Sequence, residues 1–224
     1  MRFTIRKIAV VSFIFLLALS LSCGKQAVNT TSNKPLKVPQ TVSNKPKIVA
    51  FGDSLTAGFG LLEKESYPYL LQQKLNADGH DFEVINAGVS GDTTLGGLER
   101  IDWVLEMENI KVLILELGAN DLLRGVPPAK VKANLDTMIK KAKAKNVRVL
   151  LCGMLAPPGN GDYSRDFTSL FPDLATQHKV DFLAFLLDGV ALKKELNQAD
   201  GIHPNAEGAR IMTANVYGVL KKML

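Results

Sequence analysis

The sequence predicts a three-layer α/β fold built on a parallel sheet. Short runs of β-branched and large apolar residues recur along the chain, and stretches with helical periodicity separate them. Apolar runs without polar alternation indicate strands that are buried on both faces, as in a parallel sheet. Strands that alternate with helices favour right-handed crossovers, which place helices on both faces of the sheet.

Each element is predicted from one such run or stretch. The strands are expected at Lys47–Phe51, Phe82–Ile85, Lys111–Leu115, Val147–Leu151 and Val180–Phe185. The helices are expected at Tyr67–Ala77, Leu95–Glu106, Ala129–Lys145, Arg165–His178 and Asn205–Lys222. In the third helix Val131, Leu135 and Met138 recur at helical spacing and form one apolar face. Pro127 and Pro128 stand at its start, where proline is tolerated.

Residues 1–22 have the pattern of a secretion signal. Met1–Lys7 is cationic, and Ile8–Leu21 is an apolar run of about fourteen residues. That run is shorter than the roughly 20 apolar residues that cross a bilayer, and it matches the apolar region of a cleaved signal.

Cys23 directly follows this signal, and the segment Leu19–Gly24 resembles a bacterial lipobox. Ser20 stands where that motif usually has leucine, so an ordinary cleavage near Ser22 and an uncleaved anchor remain alternatives. Residues 23–46 are rich in Asn, Thr, Ser, Lys and Pro, a composition that cannot offset the entropy of ordering. We therefore expect a lipid-anchored flexible tether over 23–46, a single folded domain over 47–224 and a location in the bacterial cell envelope.

The net charge of +5 does not indicate a nucleic-acid partner. Seven of the 27 Lys and Arg residues precede Lys47, so the remaining 20 face 22 Asp and Glu residues, and the domain carries about −2. A nucleic-acid-binding face needs cations clustered on the folded domain. The one run of lysines, residues 140–145, falls on a predicted helix and is interpreted as its solvated face.

Polar residues and glycines are concentrated directly after the predicted strands. They occur in Gly52–Leu55, Asn86–Asp92 and Glu116–Asp121, and a fourth segment, Asp200–Pro204, precedes the last helix. In open parallel sheets, ligands bind outside the carboxyl ends of the strands. The four segments are therefore expected to meet at one edge of the sheet.

Among the three histidines, His203 is the candidate base. Pro204 disfavours helical geometry at the preceding residue and holds His203 outside the helix. Asp200, three residues earlier, is positioned to accept a hydrogen bond from the imidazole and stabilise its charged form, although an ordinary helix-entry turn is an alternative. His80 in a turn and His178 at a helix end are expected at the surface.

Ser54 lies at a sharp strand-to-helix turn that projects its hydroxyl from the sheet edge, although a plain N-cap serine is an alternative. Asn120 follows a strand and is positioned to donate to a developing oxyanion, or simply forms a turn. Gly88 allows close approach of the backbone and offers its N–H, and it also fits a tight turn. Cys152 belongs to an apolar run and is interpreted as an inert core thiol.

Taken together, Gly52-Asp53-Ser54-Leu55, Gly88, Gly118-Ala119-Asn120-Asp121 and Asp200-Gly201-Ile202-His203-Pro204 resemble the SGNH (GDSL) hydrolase family. The resemblance covers residues 47–224, and the segments 90–93 and 122–125 are similar to its bacterial thioesterase, lysophospholipase and arylesterase branch. It implies a flavodoxin-like five-stranded parallel sheet, Ser54 as nucleophile, and Asp200 and His203 as its triad partners. It also implies an oxyanion hole from Ser54, Gly88 and Asn120, with no metal or cofactor. Ala119 replaces a glycine that is frequent in the family.

The segments after Asn120 and Cys152 are expected to flank the substrate. Their apolar residues are Leu122, Leu123, Met154, Leu155 and Pro157. With no charged pocket for a sugar or phosphate, this composition favours a medium or long acyl chain or an aryl ester, in an ester or thioester. A carbohydrate O-acetyl esterase and a non-catalytic lipid- or partner-binding surface lipoprotein remain the alternatives. The oligomeric state and the physiological substrate are not indicated.

Overall fold

The computed structural model of the protein describes residues 44–157, 159 and 161–224. The predicted secretion signal, Cys23 and nearly all of the tether lie outside the described residues. Within the described ranges, no helix has both the length and the apolarity needed to span a lipid bilayer.

Five strands form one sheet in which every neighbouring pair is parallel. The strands are β1 (Lys47–Gly52), β2 (Glu83–Gly88), β3 (Ile110–Glu116), β4 (Arg148–Cys152) and β5 (Asp181–Leu183). Their spatial order is β2-β1-β3-β4-β5. This is the flavodoxin-like order, and the fold predicted from the sequence is confirmed.

Seven α-helices accompany the strands in the described residues. They are α1 (Ser54–Ala57), α2 (Tyr67–Ala77), α3 (Thr94–Val104), α4 (Ala119–Leu123), α5 (Pro128–Ala144), α6 (Gly161–His178) and α7 (Ala206–Leu220). Short 3₁₀ turns occupy Glu63–Glu65 and Lys194–Leu196. Helix α2 packs against α7, while α5 packs between α3 and α6. Right-handed crossovers place these two groups on opposite faces of the sheet.

The central strands are buried because helices cover both faces. Residues 48–51 of β1 and 113–115 of β3 have no exposed surface. Gly97 lets α3 approach the sheet closely, since a Cβ at this position would lie 2.3 Å from Leu117. The sheet is therefore closely packed directly beneath its carboxyl edge, where the polar segments emerge.

The structure differs from the sequence-based elements in a few places. Strand β2 continues to Gly88, β5 is only three residues long, and the short helices α1 and α4 are absent from the helix ranges expected from the sequence. The expectation for His178 was wrong, because its side chain is only 9% exposed and its Nε2 lies 2.7 Å from Asp136 Oδ1. A helix end usually faces solvent, but here α6 packs on α5, which carries Asp136.

Candidate active site

The polar segments meet where the order of the strands reverses, between β1 and β3. Residues 53 and 54 follow β1, and residues 117–120 follow β3. In parallel sheets this reversal opens a crevice, because the chains leaving the two strands turn to opposite faces. Ser54 and Asn120 line the same cavity in this crevice.

Ser54 is the first residue of the one-turn helix α1. The Asp53 side chain caps that helix by accepting the Leu55 N–H at 3.0 Å, and Gly58 ends it with a φ of 79°. A Cβ at position 52 would lie 2.2 Å from Thr56 Oγ1 and 2.3 Å from Glu116 Oε2. Only glycine therefore lets the chain turn this sharply from strand into helix.

His203 connects Ser54 to Asp200. Its Nε2 lies 2.9 Å from Ser54 Oγ, and its Nδ1 lies 2.7 Å from Asp200 Oδ2. The other oxygen of Asp200 accepts the backbone N–H groups of Ile202 and His203, each at 3.0 Å. These hydrogen bonds, the one to the imidazole above all, lower the pKa of Asp200 to about 2. The carboxylate is therefore ionised near neutral pH and fixes the orientation of the imidazole.

Gln198 fastens the His203 segment to the chain that follows α1. Its backbone N–H donates to the His203 carbonyl at 2.8 Å, and its side-chain amide donates to the carbonyls of Phe59 at 2.7 Å and Pro204 at 3.0 Å. Sequence reasoning missed Gln198, because its acceptor on Phe59 is 139 residues away along the chain.

Arg100 of α3 joins the ends of β1 and β2 and was also missed. Its guanidinium donates to the carbonyls of Gly52 at 3.0 Å and Ala87 at 2.9 Å, and it pairs with Asp92 at 2.6 Å. The guanidinium also lies 3.9 Å from the ring centroid of Phe51. Carbonyl acceptors exist at every residue, so no sequence signal identifies such a clamp.

Two of the three predicted oxyanion donors, Asn120 and Gly88, have acceptors within the protein. Asn120 Nδ2 donates to Asp53 Oδ2 at 3.1 Å and to the Asp92 carbonyl at 2.9 Å, and the Gly88 N–H donates to Asn86 Oδ1 at 3.0 Å. Gly88 pairs with Gly52 across β2 and β1 and packs on α1, because its Cβ would lie 2.2 Å from the Ala57 nitrogen. Asn120 lines the cavity with Ser54, whereas Gly88, at the end of β2, is not among the residues that line it.

Two buried carboxyl groups lie beneath Ser54. Glu116 Oε2 accepts from Thr56 Oγ1 at 2.7 Å and from the Asp53 N–H at 3.2 Å, while its Oε1 has no partner among the described residues. Burial raises the pKa of Glu116 well above its usual range, and burial also raises the pKa of Asp53 to about 6. The neutral form of Glu116 is favoured, and the pair forms a polar floor for the nucleophile turn.

The cavity beside Ser54 and His203 has a volume of about 250 Å³. All five residues predicted to contact substrate line it: Leu122, Leu123, Met154, Leu155 and Pro157. Sequence reasoning missed a second wall, formed after β5 by Phe185, Leu187, Ala191 and Leu192, and also missed Ile202. Most side chains that line this cavity are apolar, so it is suited to a hydrocarbon group.

Other groups with reactive potential do not join this arrangement. Cys152 is fully buried at the end of β4, and burial raises the pKa of its thiol. Within residues 44–157, 159 and 161–224, no cluster of three His, Cys, Asp or Glu side chains has the arrangement of a metal site. The chemistry available at this edge is that of a hydroxyl, an imidazole and a carboxylate in line.

Comparison with known proteins identifies the family of the chain. Residues 50–211 match the model of the GDSL-like lipase/acylhydrolase family. The chain is 39% identical to esterase TesA of Pseudomonas aeruginosa over 178 residues, which are 79% of this chain and 89% of that protein. It is 35% identical to thioesterase 1/protease 1/lysophospholipase L1 of Escherichia coli K12 over 161 residues, 71% of this chain and 76% of that protein. A crystal structure of TesA superposes with a TM-score of 0.76 at 38% identity, covering 80% of this chain and 99% of that one. The chain therefore belongs to the GDSL-like lipase/acylhydrolase family.

Proposed function

We propose that the protein is a serine esterase and thioesterase that hydrolyses acyl substrates through an acyl-enzyme on Ser54. One observation carries the proposal: Ser54 Oγ, the His203 imidazole and the Asp200 carboxylate are joined by hydrogen bonds of 2.9 Å and 2.7 Å at an apolar cavity. A serine is a weak nucleophile until an adjacent base accepts its proton, and this arrangement supplies such a base.

The reaction has two half-steps. His203 Nε2 takes the Ser54 proton as Oγ forms a bond to the acyl carbon, and the protonated imidazole is stabilised by Asp200. The same proton then passes to the departing alkoxide or thiolate, which leaves the acyl group on Ser54. Water attacks this acyl-enzyme with His203 again as base, and the acid is released as Ser54 regains its proton.

The negative charge that develops on the acyl oxygen must be stabilised by hydrogen-bond donors. The Ser54 N–H heads α1, where the first N–H groups of a helix lack helical acceptors, and Asn120 Nδ2 and the Gly88 N–H are the other candidates. Both of these have acceptors in the free protein, Asp53 and Asp92 for Asn120 and Asn86 for Gly88. An oxyanion, as a charged acceptor, competes favourably with the neutral Asn86 amide.

The cavity supports a hydrocarbon acyl chain as the bound part of the substrate. Each buried methylene contributes about 0.8 kcal/mol, and Leu122, Leu123, Met154, Leu155 and Pro157 supply the apolar surface. The relatives named as an esterase and as a thioesterase and lysophospholipase are consistent with ester and thioester leaving groups.

Replacement of the nucleophile tests the chemistry. Ser54→Ala is expected to abolish turnover of p-nitrophenyl esters and covalent labelling by a fluorophosphonate probe. Ser169→Ala, at an exposed serine of α6, is the matched control and should keep both. Undiminished turnover in Ser54→Ala would overturn the acyl-enzyme. Absence of labelling and turnover in the folded wild type would favour the non-catalytic lipoprotein.

A chain-length series tests the substrate class. Turnover of p-nitrophenyl esters from acetyl to palmitoyl, and of matched thioesters, is expected to rise from acetyl to the medium chains. Hydrolysis of acetyl esters alone would instead identify a carbohydrate O-acetyl esterase, the alternative within the same family.

We further propose that the protein is a cell-envelope lipoprotein. Residues 1–22 would be removed as a signal, Cys23 would carry the lipid, and residues 23–46 would tether the domain 47–224 to the membrane. Mass spectrometry of the N-terminus is expected to find diacylglyceryl-Cys23, and Cys23→Ser is expected to abolish this modification. An unmodified N-terminus after Ser22 would rule out the anchor.

A further inference from the structure

The mouth of the cavity carries an apolar rim, which we define as Leu123, Leu155, Leu192 and Ile202. All four line the cavity, yet their exposed fractions are 65%, 47%, 97% and 50%. The inner wall is different, because Leu55 and Met154 are 6% and 4% exposed. The rim side chains therefore point outward around the opening rather than only enclosing it.

The four exposed side chains of the rim lie together on one part of the surface. Eleven large apolar side chains are strongly exposed in the described residues, and four of them form this one rim. The four come from separate segments, after β3, after β4, after β5 and before α7. Single exposed apolar residues need no explanation, but a contiguous patch around a site marks a surface that contacts an apolar partner.

Leu192 is the most informative member of the rim. Its φ is 63°, a left-handed conformation that is strained for a leucine, and its side chain is 97% exposed. Packing within the chain therefore does not account for a leucine at this position. An apolar medium outside the protein does, because insertion of the side chain would remove its surface from water.

Cationic side chains border the rim. Arg124 follows Leu123, and Lys193 and Lys194 follow Leu192; both lysines are exposed and form no ion pair with the described residues. Glu195 is the acidic neighbour on the same segment. An apolar edge bordered by lysine and arginine matches a membrane interface with anionic headgroups. Contact between two copies through this rim would bring the cations of both copies together, which disfavours self-association.

We infer that the apolar rim docks the domain onto an anionic lipid surface, with Leu192 inserted into the acyl layer and Lys193 and Lys194 against the headgroup phosphates. The cavity opens at the centre of this face, so an acyl chain reaches it from the bilayer without crossing water. This last consequence rests on the proposed function, whereas the docking itself does not.

The native tryptophan offers an internal control. Trp103 is the one tryptophan of the chain and is 70% exposed. It lies in the last turn of α3, before β3, at the opposite edge of the sheet from the rim. Tryptophan fluorescence of the unmutated chain therefore reports on the edge of the sheet far from the rim. In the double variant with Trp103→Phe and Leu192→Trp, the one tryptophan lies on the rim. Trp103→Phe combined with Leu155→Trp reports on the rim from a second segment.

The test uses vesicles of phosphatidylcholine and phosphatidylglycerol with brominated acyl chains, which quench tryptophan at membrane depth. The tryptophans introduced at positions 192 and 155 are expected to be quenched, whereas Trp103 is expected to remain unquenched. The same result is expected when an anchor on Cys23 tethers the domain. Replacing Lys193 and Lys194 by Gln is expected to raise the half-maximal lipid concentration by roughly 30-fold. Equal quenching at both edges, or none at the rim, would overturn the docking. A rim emission that changes with protein concentration without lipid would identify a second copy as the occupant.

With these variants, a failure of the docking proposal can be distinguished from a failure of the proposed catalytic function. Ser54→Ala in the Leu192→Trp background should still be quenched, because docking requires no chemistry. Absence of ester turnover in the protein that keeps Ser54, with rim quenching retained, would contradict only the proposed function. Turnover of a soluble short ester without rim quenching contradicts only the docking.

Discussion

The ring of Phe59 lies against the imidazole of His203, with their centroids 4.7 Å apart and their planes at 40°. Phe59 follows α1, and its carbonyl accepts the side-chain amide of Gln198. The aromatic contact thus couples the segment that carries the nucleophile to the segment that carries the base. It covers a face of the imidazole at which positive charge develops during the reaction.

Phe59→Ala is expected to lower kcat/KM by roughly two- to fivefold, because an aromatic face stabilises a partly exposed cation by about 0.5–1 kcal/mol. Phe59→Tyr keeps the ring and should retain nearly full activity. Initial rates on a short soluble ester measure the effect, with Trp103→Ala as the control for loss of an exposed aromatic. Equal rates for Phe59→Ala and the wild type would contradict a role for the ring.

Asp200→Asn is expected to reduce kcat by several orders of magnitude, about 10⁴ in a comparable triad, since the amide cannot stabilise the imidazolium. The wild-type rate should also fall on acidification, because a general base must be unprotonated to accept the Ser54 proton. Asp200 does not cause that fall, because its depressed pKa of about 2 keeps it ionised. The contribution of Asp200 to the stability of the folded state is present at pH values above 3.8, the ordinary pKa of an aspartate. It is lost only as the pH falls toward 2. A rate that stays flat down to pH 4 would contradict His203 as base.

Asn120→Ala is expected to lower kcat by roughly 10²–10³, the loss typical of one oxyanion donor. KM for a short ester should change little, because the donor acts on charge that is absent from the ground state. Steady-state kinetics separate the two parameters. A rise in KM with kcat unchanged would instead assign Asn120 to ordinary substrate binding.

Asp53→Asn tests the buried acid pair through stability. Burial raises the pKa of Asp53 from 3.8 to about 6, so the folded state favours the neutral acid. The contribution of Asp53 to the free energy of unfolding of the wild type therefore falls as the pH rises from about 4 to 6. It stays reduced above that range, by at most about 3 kcal/mol. The free energy of unfolding of the variant relative to the wild type, from urea titrations, should rise across that window. A difference that is independent of pH would show that Asp53 is ionised throughout.

At position 116, replacement by glutamine should destabilise the protein less than truncation to alanine. Glu116→Ala leaves the buried Asp53 N–H without its acceptor, at a cost of about 1–3 kcal/mol. It also leaves the Thr56 hydroxyl with only the longer contact to the Tyr67 hydroxyl at 3.3 Å. Glu116→Gln keeps one carbonyl oxygen for both donors and is expected to lose clearly less stability. Urea unfolding at pH 7 compares the two variants. Equal destabilisation would indicate that an ionised carboxylate is required at this position.

Much of the fold could be predicted because the signals are local. The apolar runs at residues 47–51 and 111–115 became the buried strands β1 and β3, and Tyr67–Ala77 has the predicted helix bounds. Ser54, Asn120 and His203 were expected at one edge, and they line one cavity there. The rule that parallel strands end at a common edge was sufficient for this, since it needs only the position of each residue relative to a strand.

What could not be predicted depends on contacts between distant segments. The wall from Phe185 to Leu192 follows a strand of only three residues, and its mixed sequence gives no periodicity that indicates which side chains face the cavity. Arg100 and Gln198 bind backbone carbonyls, which no pattern marks. His178 was misplaced for the same reason, because its burial depends on the packing of α6 on α5.

The walls of the cavity and the reacting groups come largely from different parts of the chain. The segments after β4 and β5, around Met154 and around Leu187, contribute apolar surface to the cavity and none of the three groups of the Ser54–His203–Asp200 relay. Exchange of these two segments with those of a relative would therefore alter acyl preference while leaving the proton relay intact. New substrate ranges are accessible to this scaffold by grafting, without redesign of its chemistry.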